Sequence, residues 1–142
     1  MKRLISKYLF SLLFIISATA ANSQVLTNHT PYSQFRIVND LIFISGQIGV
    51  SPVTGKLVDS SFDVEVAEAM EHIKQILQIS HVDFSAIVNV TVYLKEIKQY
   101  DSFNKVYTTY FKPPFPARSC LAVKDIPNGA HIEIAAIAQI KN

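Results

Sequence analysis

Ala130-His131-Ile132-Glu133-Ile134-Ala135-Ala136-Ile137-Ala138-Gln139-Ile140 is the stretch on which the reading of the fold turns. Its residues alternate with a period of two, the repeat of a β-strand whose side chains point to opposite faces. Ile132, Ile134, Ala136, Ala138 and Ile140 make one face, apolar throughout and suited to a core. The other face carries His131, Glu133, Ala135, Ile137 and Gln139. A face open to water would rarely hold Ala135 and Ile137 together, so this strand is expected to be covered on both sides, the second side by another subunit. Glu133 then lies at the border of a covered surface, where a carboxylate requires a partner.

The strand before it spans about residues 117–123, across a turn at 125–129. Arg118 and Cys120 share one face of that strand, opposite Ala117, Ser119 and Leu121. A guanidinium beside an apolar strand suits bidentate capture of a carboxylate. The competing reading is a structural ion pair between Arg118 and Glu133 across neighbouring strands. Cys120 is the only cysteine, which excludes an intramolecular disulfide. No Cys/His/Asn arrangement supports it as a nucleophile, so it reads as a small buried residue. The four histidines (His29, His72, His81, His131) show no metal-ligand spacing, and His72 and His81 read as surface or capping residues around the first helix.

Towards the N-terminus, residues 34–38 and 41–48 flank Asn39-Asp40 and read as a β-hairpin. Ser51-Pro52-Val53-Thr54-Gly55 is a second turn, with a possible short strand at 56–58. Ser60 stands three residues before Asp63, a helix-capping arrangement, and Val66, Met70, Ile73 and Leu77 then recur at helical spacing to about Ile79. Asp63, Glu65 and Glu68 fall in the first turns, where the helix dipole favours acids. Residues 87–94 alternate as a strand, with Val88, Val90, Val92 and Leu94 on one side. A second helix opens near Asp101 or Ser102, its buried face Phe103, Val106, Tyr107, Tyr110 and Phe111, and Pro113-Pro114 ends it. The order ββ(β)αβαββ predicts an α+β domain with both helices on one face of a mixed sheet.

The chain of 142 residues has room for one such domain, and its 49% hydrophobic content excludes a disordered chain. Lys2, Arg3 and Lys7 precede the apolar run of residues 8–16 and the small residues 17–21, the three parts of a secretory signal. Residues 1–23 are therefore expected to be a signal peptide, cleaved after Ala20 or Ser23, and 24–142 the exported domain, periplasmic or secreted. The run is shorter than the roughly 20 residues a membrane span needs, so no permanent span is expected. Residues 24–142 hold ten basic and eleven acidic side chains, without the cationic footprint of a nucleic-acid binder.

Phe115-Pro116-Ala117-Arg118-Ser119-Cys120-Leu121-Ala122-Val123, followed by the strand quoted first, resembles the signature of the RidA/YjgF reactive-intermediate deaminases. Pro31-Tyr32-Ser33-Gln34, Ile44-Ser45-Gly46-Gln47-Ile48 and Phe103-Asn104-Lys105-Val106-Tyr107 with Tyr110-Phe111 agree in order and spacing. The resemblance covers residues 30 to 141. It implies a chorismate-mutase-like homotrimer with ligand clefts between subunits. The implied activity is hydrolysis of 2-imino and 2-enamino acids, such as 2-iminobutanoate and 2-iminopropanoate, to 2-oxo acids and ammonia, with neither metal nor organic cofactor.

Carried over by residue, the resemblance makes Arg118 the clamp for the substrate carboxylate and Glu133 the group that orients or activates water. It places Cys120, through its backbone, and Tyr32, Ser45, Gly46 and Asn104 in the cleft lining. Thr30, His72 and His81 depart from the family's usual glycine, asparagine and glycine. The expected export also departs from the family's mainly cytoplasmic setting. Two other readings are a non-catalytic trimer that binds small carboxylates or acts as a chaperone, and an endoribonuclease. Retention of both Arg118 and Glu133 favours the deaminase, and the charge balance disfavours the nuclease.

Overall fold

The structure, a computed structural model, describes residues 31–58 and 61–140. The expected signal peptide and both cleavage points lie outside the described residues. Five strands and two main helices follow in the order β1 (Phe35–Val38), β2 (Leu41–Gln47), α1 (Phe62–Ile79), β3 (Ile87–Leu94), α2 (Tyr100–Tyr107), β4 (Ala117–Ala122) and β5 (Ile132–Gln139). They form one sheet in the order β1-β2-β5-β3-β4. The β1–β2 hairpin turns at Asn39, whose φ of 55° is a left-handed conformation that asparagine tolerates. β5 enters between β2 and β3, antiparallel to both, while β3 and β4 are parallel and joined through α2.

The core lies between one sheet face and the helices. Ile42 and Ile44 of β2, Val90, Val92 and Leu94 of β3, and Ile132, Ile134, Ala136 and Ala138 of β5 are buried against Val66, Ala69, Met70, Ile73 and Leu77 of α1 and Phe103 of α2. The period-two reading of β5 thus holds along its length. On the opposite face Glu133, Ala135 and Ile137 are half-buried and Phe43 is 42% exposed, an apolar surface that neither helix covers.

Local geometry corrects four expectations. The N-cap of α1 is Ser61, whose side chain accepts from the Val64 N–H, and Ser60 lies outside the described residues. The possible strand at 56–58 is a single bridge, Val50 to Leu57, brought together by the turn that ends at Gly55 (φ 68°). The start of β3 is irregular: the β3–β5 register shifts between Ile87 and Asn89, so Ile87 is buried and Val88, expected on one face with Val90, Val92 and Leu94, is exposed while they are buried. α2 begins at Tyr100 and stops at Tyr107, yet Phe111 beyond it is still buried, stacked against Tyr107 at 4.5 Å between ring centres. No helix among the described residues is long and apolar enough to cross a membrane.

Candidate active site

β3 and β4 pair with Val90 opposite Arg118 and Val92 opposite Cys120. Paired residues share a sheet face, so Arg118 and Cys120 lie on the helix side with the buried valines. α2 crosses above them and supplies three aromatic rings. The Arg118 Cζ stands 4.7 Å from the ring centre of Tyr107, 5.1 Å from Phe103 and 5.6 Å from Tyr100. These distances are those of cation–π contacts. The Arg118 Nη2 also donates to the Tyr100 hydroxyl oxygen at 3.1 Å. Among the described residues no carboxylate pairs with Arg118. Beside the guanidinium is a cavity of about 350 Å³, lined by Asn104, Tyr107, Thr108, Phe115, Pro116 and Arg118. A larger hollow, about 470 Å³, lies under the Pro113-Pro114 segment, is walled mainly by aromatic and proline side chains, and shares only Pro116 with the first.

Burial pushes up the Tyr107 hydroxyl, and the charge of Arg118 pulls it only partly back. Burial likewise raises the Cys120 thiol against the same pull. The thiol is therefore protonated at neutral pH, which agrees with its reading as a packing residue and not a nucleophile.

Glu133 occupies the other face. It pairs with Tyr93 of β3, one residue out of step with the buried Val92–Ile134 pair. Its side chain lies across Gly46, where β2 and β5 shift register between Ile44 and Gln47. A Cβ at Gly46 would fall 2.5 Å from the Glu133 Cδ, so only glycine leaves room for that carboxylate. Ser45 beside it donates through Oγ to the Ser33 carbonyl at 2.7 Å, tying the segment that carries Tyr32 to the same end of β2. Tyr32 itself is 62% exposed.

The residues expected to form one site therefore fall into two groups within a chain. Arg118 and Cys120 lie under α2, which itself carries Asn104, while Glu133, Gly46, Ser45 and Tyr32 gather at β2 and β5. The Arg118–Glu133 ion pair considered from the sequence does not form, because β3 separates their strands and the two side chains leave opposite faces.

Two features of the site were not among the expected residues. Tyr100 joins Phe103 and Tyr107 around the guanidinium, and its signal was the spacing of 0, 3 and 7 along one helical face. Glu65 was expected only to complement the dipole of α1. It is instead buried, and its carboxylate accepts from the His131 N–H at 2.7 Å, meets His131 Nδ1 at 2.8 Å and accepts from the Ile132 N–H at 3.4 Å. It thereby anchors β5 immediately before Glu133. No group of three or more His, Cys, Asp or Glu side chains among the described residues is arranged to hold a metal ion.

This arrangement, a mixed sheet with an acid-free arginine under one helix and a glutamate laid over a strand glycine, defines a class of small α+β proteins. Residues 22–140 match the family described as endoribonuclease L-PSP, and the chain belongs to that family, the RidA/YjgF family. Human 2-iminobutanoate/2-iminopropanoate deaminase is 41% identical over 108 residues, 76% of this chain and 79% of the human protein. Among solved structures, a Thermotoga maritima protein carrying an endoribonuclease name superposes with a TM-score of 0.77 at 36% identity, covering 81% of this chain and 91% of that one. RidA from an Antarctic Psychrobacter superposes with a TM-score of 0.75 at 29% identity, over 78% and 89% of the two chains.

Proposed function

We propose that this protein hydrolyses reactive 2-imino and 2-enamino acids, such as 2-iminobutanoate and 2-iminopropanoate, to 2-oxo acids and ammonia. The observation that carries the reading is the state of Arg118. Its guanidinium is held by aromatic faces and one phenol, has no acid partner among the described residues, and adjoins a cavity of small-molecule size. A planar cation in that setting favours a planar anion approaching along its edge, as the carboxylate of an imino acid does.

The chemistry then needs water and proton transfers. Arg118 binds the substrate carboxylate and fixes the position of the adjacent C=N carbon. Glu133 accepts a proton from water as the water oxygen attacks that carbon. The C=N electron pair moves to nitrogen, which takes up a proton. The aminoalcohol nitrogen then takes a further proton while its hydroxyl gives one up, and as the C–N bond breaks the oxygen's electron pair forms the C=O bond, releasing ammonia and the 2-oxo acid.

Because Arg118 and Glu133 diverge within one chain, the reading includes a homotrimer in which Arg118 of one subunit faces Glu133 of its neighbour. The half-buried apolar surface around Ala135, Ile137 and Phe43 supports such an assembly. The signal-like residues 1–23 support an exported site of action, periplasmic or secreted.

The test generates 2-iminobutanoate in situ with an amino-acid oxidase and traps residual imine with semicarbazide. Wild type should remove the imine and Arg118→Ala should not. Failure of wild type on several imino acids would leave the family assignment intact and refute the activity. Carboxylate binding without turnover would then favour the non-catalytic binding reading.

A further inference from the structure

Stacking and hydrogen bonding constrain Arg118 in different ways. Contacts with the rings of Tyr107 and Phe103, at 4.7 and 5.1 Å, hold the cation in place but are weakly directional towards its individual N–H groups. A bidentate carboxylate is highly directional, because two N–H groups must point along parallel lines. In many arginine sites a buried acid sets that direction. Here no acid does so among the described residues, and the guanidinium, close enough for the Tyr107 phenol to feel its charge, instead donates from Nη2 to the Tyr100 hydroxyl at 3.1 Å.

The phenol is suited to this task. It is uncharged, so it orients the guanidinium without neutralising it, and it accepts one N–H while leaving the others for a ligand. Tyr100 is itself placed by the first turn of α2, the helix whose Phe103 and Tyr107 cover the same cation. A carboxylate in place of the phenol would compete with the substrate anion for Arg118. A phenylalanine would keep the ring and lose the direction.

We infer that Tyr100 is a positioning residue for carboxylate capture, its hydroxyl selecting which edge of the Arg118 guanidinium is offered to the bound anion. This deepens the proposed function and rests on its assignment of Arg118 as the clamp. It predicts that the ring and the hydroxyl of Tyr100 have separable effects.

The experiment measures binding of 2-oxobutanoate by calorimetry to the full wild-type protein, Tyr100→Phe and Tyr100→Leu, alongside Tm and imine turnover. Slowed rotation of the Arg118 guanidinium is followed by NMR in the ligand-free proteins. Tyr100→Phe should bind about tenfold more weakly, the order of one hydrogen bond to a charged group. Its KM should rise by a similar factor with kcat and Tm little changed, and its Arg118 guanidinium should rotate faster. Wild-type affinity and rotation in Tyr100→Phe, with loss only in Tyr100→Leu, would show that the ring alone matters and overturn the inference. Wild type that binds 2-oxobutanoate but turns over no imine would refute the deaminase reading, and weaker binding by Tyr100→Phe would still uphold the role of Tyr100. A wild type that neither binds 2-oxobutanoate nor turns over imine overturns both.

Discussion

Glu133 on β5 lies across the backbone of Gly46 on β2, so closely that a Cβ on Gly46 would stand 2.5 Å from the Glu133 Cδ and 2.7 Å from its Cγ. The absent side chain of Gly46 and the position of the carboxylate are one structural feature. Gly46→Ala must push Glu133 to another rotamer. The clash is with the outer atoms of a flexible, half-buried side chain, so moving it costs little in stability. A displacement of about 1 Å at a reacting group can cost on the order of a hundredfold in rate. Gly46→Ala is therefore expected to fold with Tm little changed and to lose imine turnover far more than its carboxylate binding. Calorimetry and the semicarbazide assay check the two halves separately.

The divergence of Arg118 and Glu133 makes a prediction about mixed assemblies. Arg118→Ala and Glu133→Gln should each be inactive alone. If each site joins the Arg118 of one subunit to the Glu133 of a neighbour, random co-assembly of equal amounts restores about a quarter of the wild-type sites. Refolding the two variants together and assaying the mixture measures this. No recovery would place the whole site within a single chain.

Glu65 anchors the start of β5 by accepting from two backbone N–H groups, and it is 4% exposed. Glu65→Ala strands both donors, at about 2–4 kcal/mol in all. Glu65→Gln keeps an accepting oxygen and should cost about half as much or less. The midpoint of urea unfolding at constant slope reads the difference.

Tyr107 gives the protein an alkaline limit. Its hydroxyl is raised above the ordinary 10.0 by burial, so the folded state holds its proton where the unfolded state releases it. The associated stability is complete below 10.0 and is lost as pH rises from there through the higher folded value. Tyr107→Phe should flatten this alkaline loss in a Tm series taken from neutral pH upward. Tyr110, raised by burial and then by the charges of Glu71 and Glu68, leaves a residual slope in that variant.

Much of this fold is legible in local pattern. The alternation of residues 130–140, the helical spacing from Val66 to Leu77, and Asn39-Asp40 between two apolar runs each depend on backbone periodicities of two or 3.6, which act over a few residues. Where a local rule met a neighbouring strand, it failed in a small way. Alternation puts Val88 on one face with Val90, Val92 and Leu94, but the register shift opposite β5 leaves it exposed while they are buried. Glu65 looked like a dipole-compensating acid until β5 brought two N–H groups to it across 66 positions of chain.

The residue types of the site were also present in the sequence, as an arginine beside an apolar strand and a glutamate on an otherwise apolar one. What the sequence by itself determined was the set of elements and the face on which each side chain leaves its own strand. Only the tertiary structure decided that β3 lies between β4 and β5, that Arg118 goes under α2 to three rings, one of them hydrogen-bonded through its hydroxyl, and that Glu133 goes over Gly46 on the other side. The physical reason is that alternation defines a face relative to one strand. Which face of one strand continues into which face of another is set by sheet order and register, and those arise from packing between residues far apart in the chain.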